Sequence, residues 1–190
     1  MDVSSGIAKC EERLCRTHDA LSYLLNAANF AEAERGWSEF LSASGAFYSK
    51  VEQLCKSNSK DHAWFGQIKK ERKDDELLSY IHHARNSDEH TISDITKIEK
   101  TTTVLTGIYN IANDPLKGAG KDYVQAFELS TLPTPSLVLL PVHDDRYGDT
   151  FAVPGRHLDQ LLIDWSPQAV AQLAFAYLAR MLDVARALVS

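Results

Sequence analysis

The chain has 190 residues, 44% of them apolar and 24% charged, which is enough for one well-filled core and argues against global disorder. Twenty Lys and Arg against 26 Asp and Glu give a formal net charge of −6, so any contact with nucleic acid has to come from a local patch rather than from a basic protein coating phosphate. Cys10, Cys15 and Cys55 form no CxxC pair, and no apolar run reaches signal-peptide or membrane-spanning length. Together these features argue against a disulfide framework and a structural zinc site, and lead to the expectation of a soluble, cytoplasmic protein with no membrane partner.

In chain order, residues 4–29 read as a first helix. Ile7, Cys10, Leu14, Leu21, Leu24 and Ala28 follow three–four spacing, interrupted only at Thr17, with Ser4 or Ser5 as N-cap. Residues 31–57 repeat that spacing through Trp37, Phe40, Phe47, Val51 and Leu54. Gly45 interrupts this helix at a propensity cost of roughly 1 kcal/mol, tolerable at such length. A polar turn over Lys56–Lys60 follows. Residues 61–89 form a third helical region in two pieces, broken near Lys73, where the charged run Lys69–Glu76 interrupts the stripe and Asp74, Asp75 and Glu76 favour a new helix start.

Beyond His90 the pattern turns to strands. Thr101–Ile111, Tyr123–Leu129, Ser136–Val142 and Thr150–Val153 are rich in β-branched and aromatic residues. Turns fall at Asn113-Asp114-Pro115, at Gly118-Ala119-Gly120 and over Asp144–Asp149. Ser166-Pro167 then supplies an N-cap and a first-turn proline for a last helix, apolar almost all round, that suits a bundle centre or a subunit interface.

The segment Leu77–His90 concentrates the chemistry. At 100° per residue, Leu77, Leu78, Ile81 and Ala84 share a face with Arg85 and Asp88. Charges on an apolar face are costly unless paired, as at i, i+3, or functional. His83, Asn86, Ser87 and His90 form a second, polar stripe. Arg85 and His90 stand about 140° apart on a regular helix. They converge on one substrate only if the helix ends near Glu89 or if a second subunit completes the site.

Arg85-Asn86-Ser87-Asp88-Glu89-His90, near the end of the third helical region and after Leu77-Leu78-Ser79-Tyr80-Ile81, resembles the Arg-polar-x3-His motif of the HEPN superfamily. The resemblance covers residues 4–90 and 166–189. It implies a mainly α fold: a HEPN-like four-helix up-and-down bundle, here with a small antiparallel β insert over 97–155, all within one domain. It also implies a homodimer acting as a metal-independent endoribonuclease without cofactor, as in toxin–antitoxin or phage-defence systems, with an antitoxin or other protein as partner.

Cleavage by 2′-hydroxyl attack on the adjacent phosphate needs a base, an acid and a cation. Histidine titrates near working pH, and arginine grips phosphate with a planar fork. The resemblance thus assigns phosphate binding to Arg85, proton transfer to His90 and support to Asn86. Lys69, Lys70, Arg72, Lys73 and His83 are weaker candidates for RNA contact, because Glu71, Asp74, Asp75 and Glu76 neutralise the basic run.

Plainer readings compete. Arg85 can be a structural partner of Asp88 or another acid, with His90 complementing the helix C-terminus. The charged run reads equally as a solvated face, and His82 and His83 as surface residues. A zinc site from His83, His90 and a carboxylate fits no common ligand spacing. His143, Asp144 and Asp145 suit turn chemistry. The main alternative to catalysis is a helical module that binds a partner protein or a small ligand.

Overall fold

Helix α1 spans Val3–Leu25 and α2 spans Phe30–Cys55. In this computed structural model the described residues are 3–56, 59–90, 93–101, 104–110, 124–130, 134–144 and 148–189. Neither Ser4 nor Ser5 caps α1, because both lie inside it. The helix also stops short of Ala28, for a local reason. Asn29 Oδ1 accepts from the Glu32 amide at 3.0 Å, and Glu32 reaches back to the Ala28 amide at 2.8 Å. This reciprocal cap starts α2 and fixes the turn before it. Thr17 does not break the α1 stripe. It is fully buried, its hydroxyl donating to the Arg13 carbonyl at 3.0 Å. At Gly36 an added Cβ would lie 2.8 Å from the Leu24 Cα, so α1 and α2 pack backbone to backbone there.

The third helical region does divide, into α3 (Ser59–Asp74) and α4 (Glu76–His90). Asp75 is the reason. Its Oδ1 accepts the Leu78 amide at 2.9 Å, an N-cap bond that starts α4. The last helix, α5 (Pro167–Val189), begins as its sequence suggests, with Ser166 Oγ accepting from the Ala169 amide at 3.2 Å. Its apolar surface is not all buried. Val170, Ala174, Leu178, Met181 and Leu182 enter the core, while Leu173 and Val184 are exposed. With Trp37, Phe40, Phe47 and Val51 of α2 and Leu77 and Ala84 of α4 they form one apolar cluster. Each fully buried large side chain contributes about 1.5–3 kcal/mol.

The described residues fall into two units: Met1–Lys97 with Leu137–Ser190, and Ile98–Ser136. The chain leaves and re-enters the helical unit through β1 (Thr96–Thr101) and β4 (Thr134–Leu139), which pair. In the smaller unit β2 (Val104–Asn110) runs antiparallel to β3 (Val124–Ser130), with Gly107 opposite Phe127. In the larger unit β5 (Val142–Asp144) pairs with β6 (Asp149–Phe151), and β7 (Arg156–His157) with β8 (Gln160–Leu161). The single strand expected over Ser136–Val142 is therefore the end of β4 and the start of β5. Thr101 belongs to β1 rather than to the following strand.

The β7–β8 hairpin has no glycine at its turn, although Leu158 and Asp159 adopt φ of 47° and 64°. Asp75 offsets this strained backbone by accepting the Leu158 amide at 2.7 Å. The turns expected at Asn113–Pro115 and Gly118–Gly120, together with Ile111, Tyr123 and Asp145–Tyr147, lie outside the described residues. The fold is thus mainly helical with small antiparallel strand pairs. Among the described residues no helix is long and apolar enough to cross a membrane.

Candidate functional site

Helix α4 buries Leu77, Leu78, Tyr80, Ala84 and Ser87 against its neighbours. Arg85 follows on the same side, and its side chain keeps 34% of its surface exposed. An added Cβ on Gly45 of α2 would come within 3.1 Å of Arg85 Nε, so the missing side chain at Gly45 makes room for the guanidinium stem. Arg85 pairs with Glu89 at 2.6 Å, one turn on, and donates from Nη1 to Asn86 Oδ1 at 3.3 Å. Its expected partner Asp88 is engaged elsewhere, accepting from the Ser38 hydroxyl. Glu89 also accepts from Ser42 at 3.3 Å. Arg85 Nε is buried without a hydrogen-bond partner.

His90 is exposed and is the last residue of α4. The helix stays regular to that point, so within one chain the periodicity leaves Arg85 and His90 about 140° apart. Asn86, half-buried, adjoins Arg85. The structure thus brings Arg85 and Asn86 together and holds His90 on another face of the same helix end.

The weaker candidates separate. Lys69 pairs with Glu52 of α2 at 2.5 Å and lies 5.5 Å from the Phe65 ring centroid. That bond holds the Glu52 carboxyl below its ordinary range. Lys70 and Lys73 are exposed. Arg72 turns inward, its guanidinium 3.9 Å from the Tyr48 ring centroid. His83 stacks on Phe151 of β6 with centroids 3.4 Å apart and has Nδ1 3.9 Å from Asp144. Burial lowers the His83 pKa, Asp144 opposing the shift.

Arg72 and Arg85 both line a cavity of about 200 Å³ between α2, α3, α4 and α5. Leu41, Ile81 and Leu178 supply apolar wall, and Tyr48, His82 and Tyr177 the remaining aromatic and polar groups. Burial, reinforced by Arg72, His83 and Arg85, pushes the His82 pKa down to about 4, so its imidazole is neutral at pH 7. Burial raises the Tyr48 phenol to about 12, and its hydroxyl is buried without a partner. Tyr177 is raised by burial and by Glu71, to which it donates at 2.7 Å.

Sequence reasoning missed this cavity. Its one signal was the glycine at position 45, in the middle of an otherwise well-formed helix.

At the opposite end of α4, the Asp75 carboxylate contacts His157 Nδ1 at 3.0 Å besides the Leu78 and Leu158 amides. Both side chains are about 8% exposed. Burial alone would raise Asp75, but these three bonds more than offset it and leave the pKa lowered. Cys10 and Cys55 are buried free thiols, each pushed up to about 11 by desolvation. Among the described residues no three His, Cys, Asp or Glu side chains gather as a metal site would require.

Fold and site together define a mainly helical protein whose α4 ends in an arginine–histidine segment beside a cation-lined cavity. Comparison with protein-family models, with curated proteins and with solved structures yields no match.

Proposed function

We propose that this chain is a HEPN-like, metal-independent endoribonuclease that works as a homodimer, as a toxin or phage-defence effector. The observation that carries the reading is the state of the α4 end. Arg85 reaches solvent while braced by Glu89 and Asn86, and His90 is exposed four residues after Asn86. In the dimer, Arg85 binds the scissile phosphate and His90 residues from the two chains serve as base and acid. One takes the 2′-hydroxyl proton as that oxygen attacks phosphorus. The other protonates the departing 5′-oxygen, leaving a cyclic phosphate. Two chains are needed because a single helix keeps its Arg85 and His90 on different faces. Asn86 orients Arg85 rather than touching the reacting atoms.

RNA cleavage in excess chelator, comparing wild type with His90→Ala, tests this. The wild type cleaves, and loss of the proton-transfer group lowers the rate by about 10²–10⁴. Equal rates, or cleavage by neither protein, overturn it.

A second reading, a non-catalytic helical module that binds a small ligand, is favoured by the cavity beside Arg85. It predicts no cleavage by either protein.

A further inference from the structure

The buried polar atoms left without a partner around the α2–α5 cavity are able to donate. Ser44 donates to the Phe40 carbonyl at 2.7 Å, and Tyr177 to Glu71 at 2.7 Å, so both hydroxyl protons are committed. Glu52 is held by Lys69. Besides the neutral His82 ring, which offers one donor and one acceptor, and the exposed Ser49 hydroxyl, three donors remain. Arg72 makes no hydrogen bond or ion pair among the described residues and only lies over the Tyr48 ring. Tyr48 Oη and Arg85 Nε are buried and unpartnered. Leaving such groups unsatisfied costs about 1–3 kcal/mol each, more for charged groups. A chain that keeps two such buried groups around one cavity, beside the Arg72 cation, has a use for an acceptor there.

The Arg72 guanidinium makes that acceptor an anion, since its planar fork matches carboxylate or phosphate oxygens, while the Arg85 fork is already held by Glu89 and Asn86. The rest of the wall, Leu41, Ile81 and Leu178 among it, requires an apolar body. Size sets the limit. A volume of about 200 Å³ is somewhat more than the roughly 150 Å³ that accommodates one benzene ring, and below the 300–1,000 Å³ of pockets for larger ligands.

We infer that this cavity binds a small organic anion, a carboxylate or phosphate monoester carried on a body about the size of one ring. Arg72 and Tyr48 meet the charged end, Arg85 Nε supplies a further donor, and the aliphatic wall takes the ring. The inference goes beyond the ribonuclease reading, and its test reads binding rather than cleavage, so either can fail alone.

The test is calorimetric titration of the full chain with benzoate, phenyl phosphate and, as the neutral isostere, benzamide. Benzoate or phenyl phosphate binds, and whichever binds tighter identifies the anionic group. Benzamide is weaker by about tenfold or more, the loss of one charge-assisted contact. Tyr48→Phe removes only the orphan hydroxyl. It weakens the anion by about five- to tenfold and leaves the melting temperature unchanged or higher, because an unsatisfied buried group is gone. Ala174→Leu, which fills the cavity from α5, blocks binding altogether. Absence of binding up to about 10 mM by both anions, equal affinity for benzamide, or undiminished affinity in Tyr48→Phe overturns the inference.

Discussion

The two ends of α4 differ in how much of their bonding capacity is spent. At its start, both oxygens of Asp75 are spent on the Leu78 and Leu158 amides and on His157, and Glu76 takes the Gly155 amide at 2.9 Å. A turn later Tyr80 donates to the Leu140 carbonyl at 2.7 Å. Every one of these bonds ties the helix to another part of the chain or starts its own first turn. At its end, Asp88 and Glu89 still accept from Ser38 and Ser42 of α2, but the Arg85 side chain bonds only within α4 and keeps a buried donor idle, and the His90 side chain makes no hydrogen bond or ion pair among the described residues. Groups whose bonds are complete fix a position. Groups with capacity to spare are available to something else. The contrast separates what holds this helix from what it offers, and substitutions at the two ends should have effects of different kinds.

The largest expected effect is the loss of cleavage in His90→Ala, with little change in stability because the side chain is exposed. Asp75→Ala should do the reverse. It removes an N-cap, worth about 1 kcal/mol, and charge-assisted bonds worth about 1.5–3 kcal/mol, so unfolding free energy drops by about 2–4 kcal/mol. Denaturant unfolding measures this. Because the folded pKa of Asp75 lies below its ordinary value, its contribution is complete above the unfolded pKa. It is lost as pH falls through the folded value, which lies under the ordinary aspartate pKa. Wild type and Asp75→Ala should therefore converge in stability in strong acid and diverge above it. A constant gap across that range would mean that Asp75 acts by shape and not by charge.

Gly45→Ala probes the other end more gently. Alanine gains roughly 1 kcal/mol of helix propensity. Its Cβ, however, would sit 3.1 Å from Nε and 3.3 Å from Cδ of Arg85, tighter than ordinary contact. The obstacle is a flexible side chain, so the arginine gives way and the fold does not. Stability should stay level or rise by up to about 1 kcal/mol while cleavage falls roughly tenfold, since small displacements of a positioning group are costly to rate. Paired melting curves and cleavage rates check this, and a variant that loses stability but keeps its rate would remove Arg85 from the proposed chemistry.

How much of this could be read beforehand depended on how local the cause was. The helices followed from three–four spacing because burial of Trp37, Phe40, Phe47 and Val51 needs no partner to be specified in advance. The α3–α4 break was readable because acids at a helix start act over a single turn. The apolar stripe alone carries α1 on to Ala28, past its end at Leu25, because periodicity does not register the cap that Asn29 and Glu32 form at capping-box spacing. The β7–β8 hairpin could not be read at all. Leu158 and Asp159 are poor residues for positive φ, and their turn depends on Asp75, 83 residues from Leu158. The candidate site divides in the same way. Arg85, Asn86 and His90 were visible as a motif on one helix. The cavity draws on four helices, and only Gly45 hinted that α2 makes way for a neighbour.

Glu89→Gln is the smallest and most discriminating change. The Glu89–Arg85 pair is an i, i+4 bridge about one-third exposed, so its loss should shift stability by no more than about 0.5 kcal/mol. Its effect on RNA separates two roles for Glu89. As a brace, it orients the guanidinium, and its loss would lower kcat. As a competitor, it occupies the donors that a phosphate needs, and its loss would lower KM. Glutamine keeps the length and an oxygen acceptor for Arg85 and Ser42 while removing the negative charge that a phosphate must displace or approach. The bracing geometry survives and the repulsion goes. KM for RNA should therefore fall about two- to fivefold with kcat changed by less than about twofold, an effect on binding of both ground and transition state. A raised KM would show that the carboxylate is part of the RNA-binding arrangement rather than an obstacle to it.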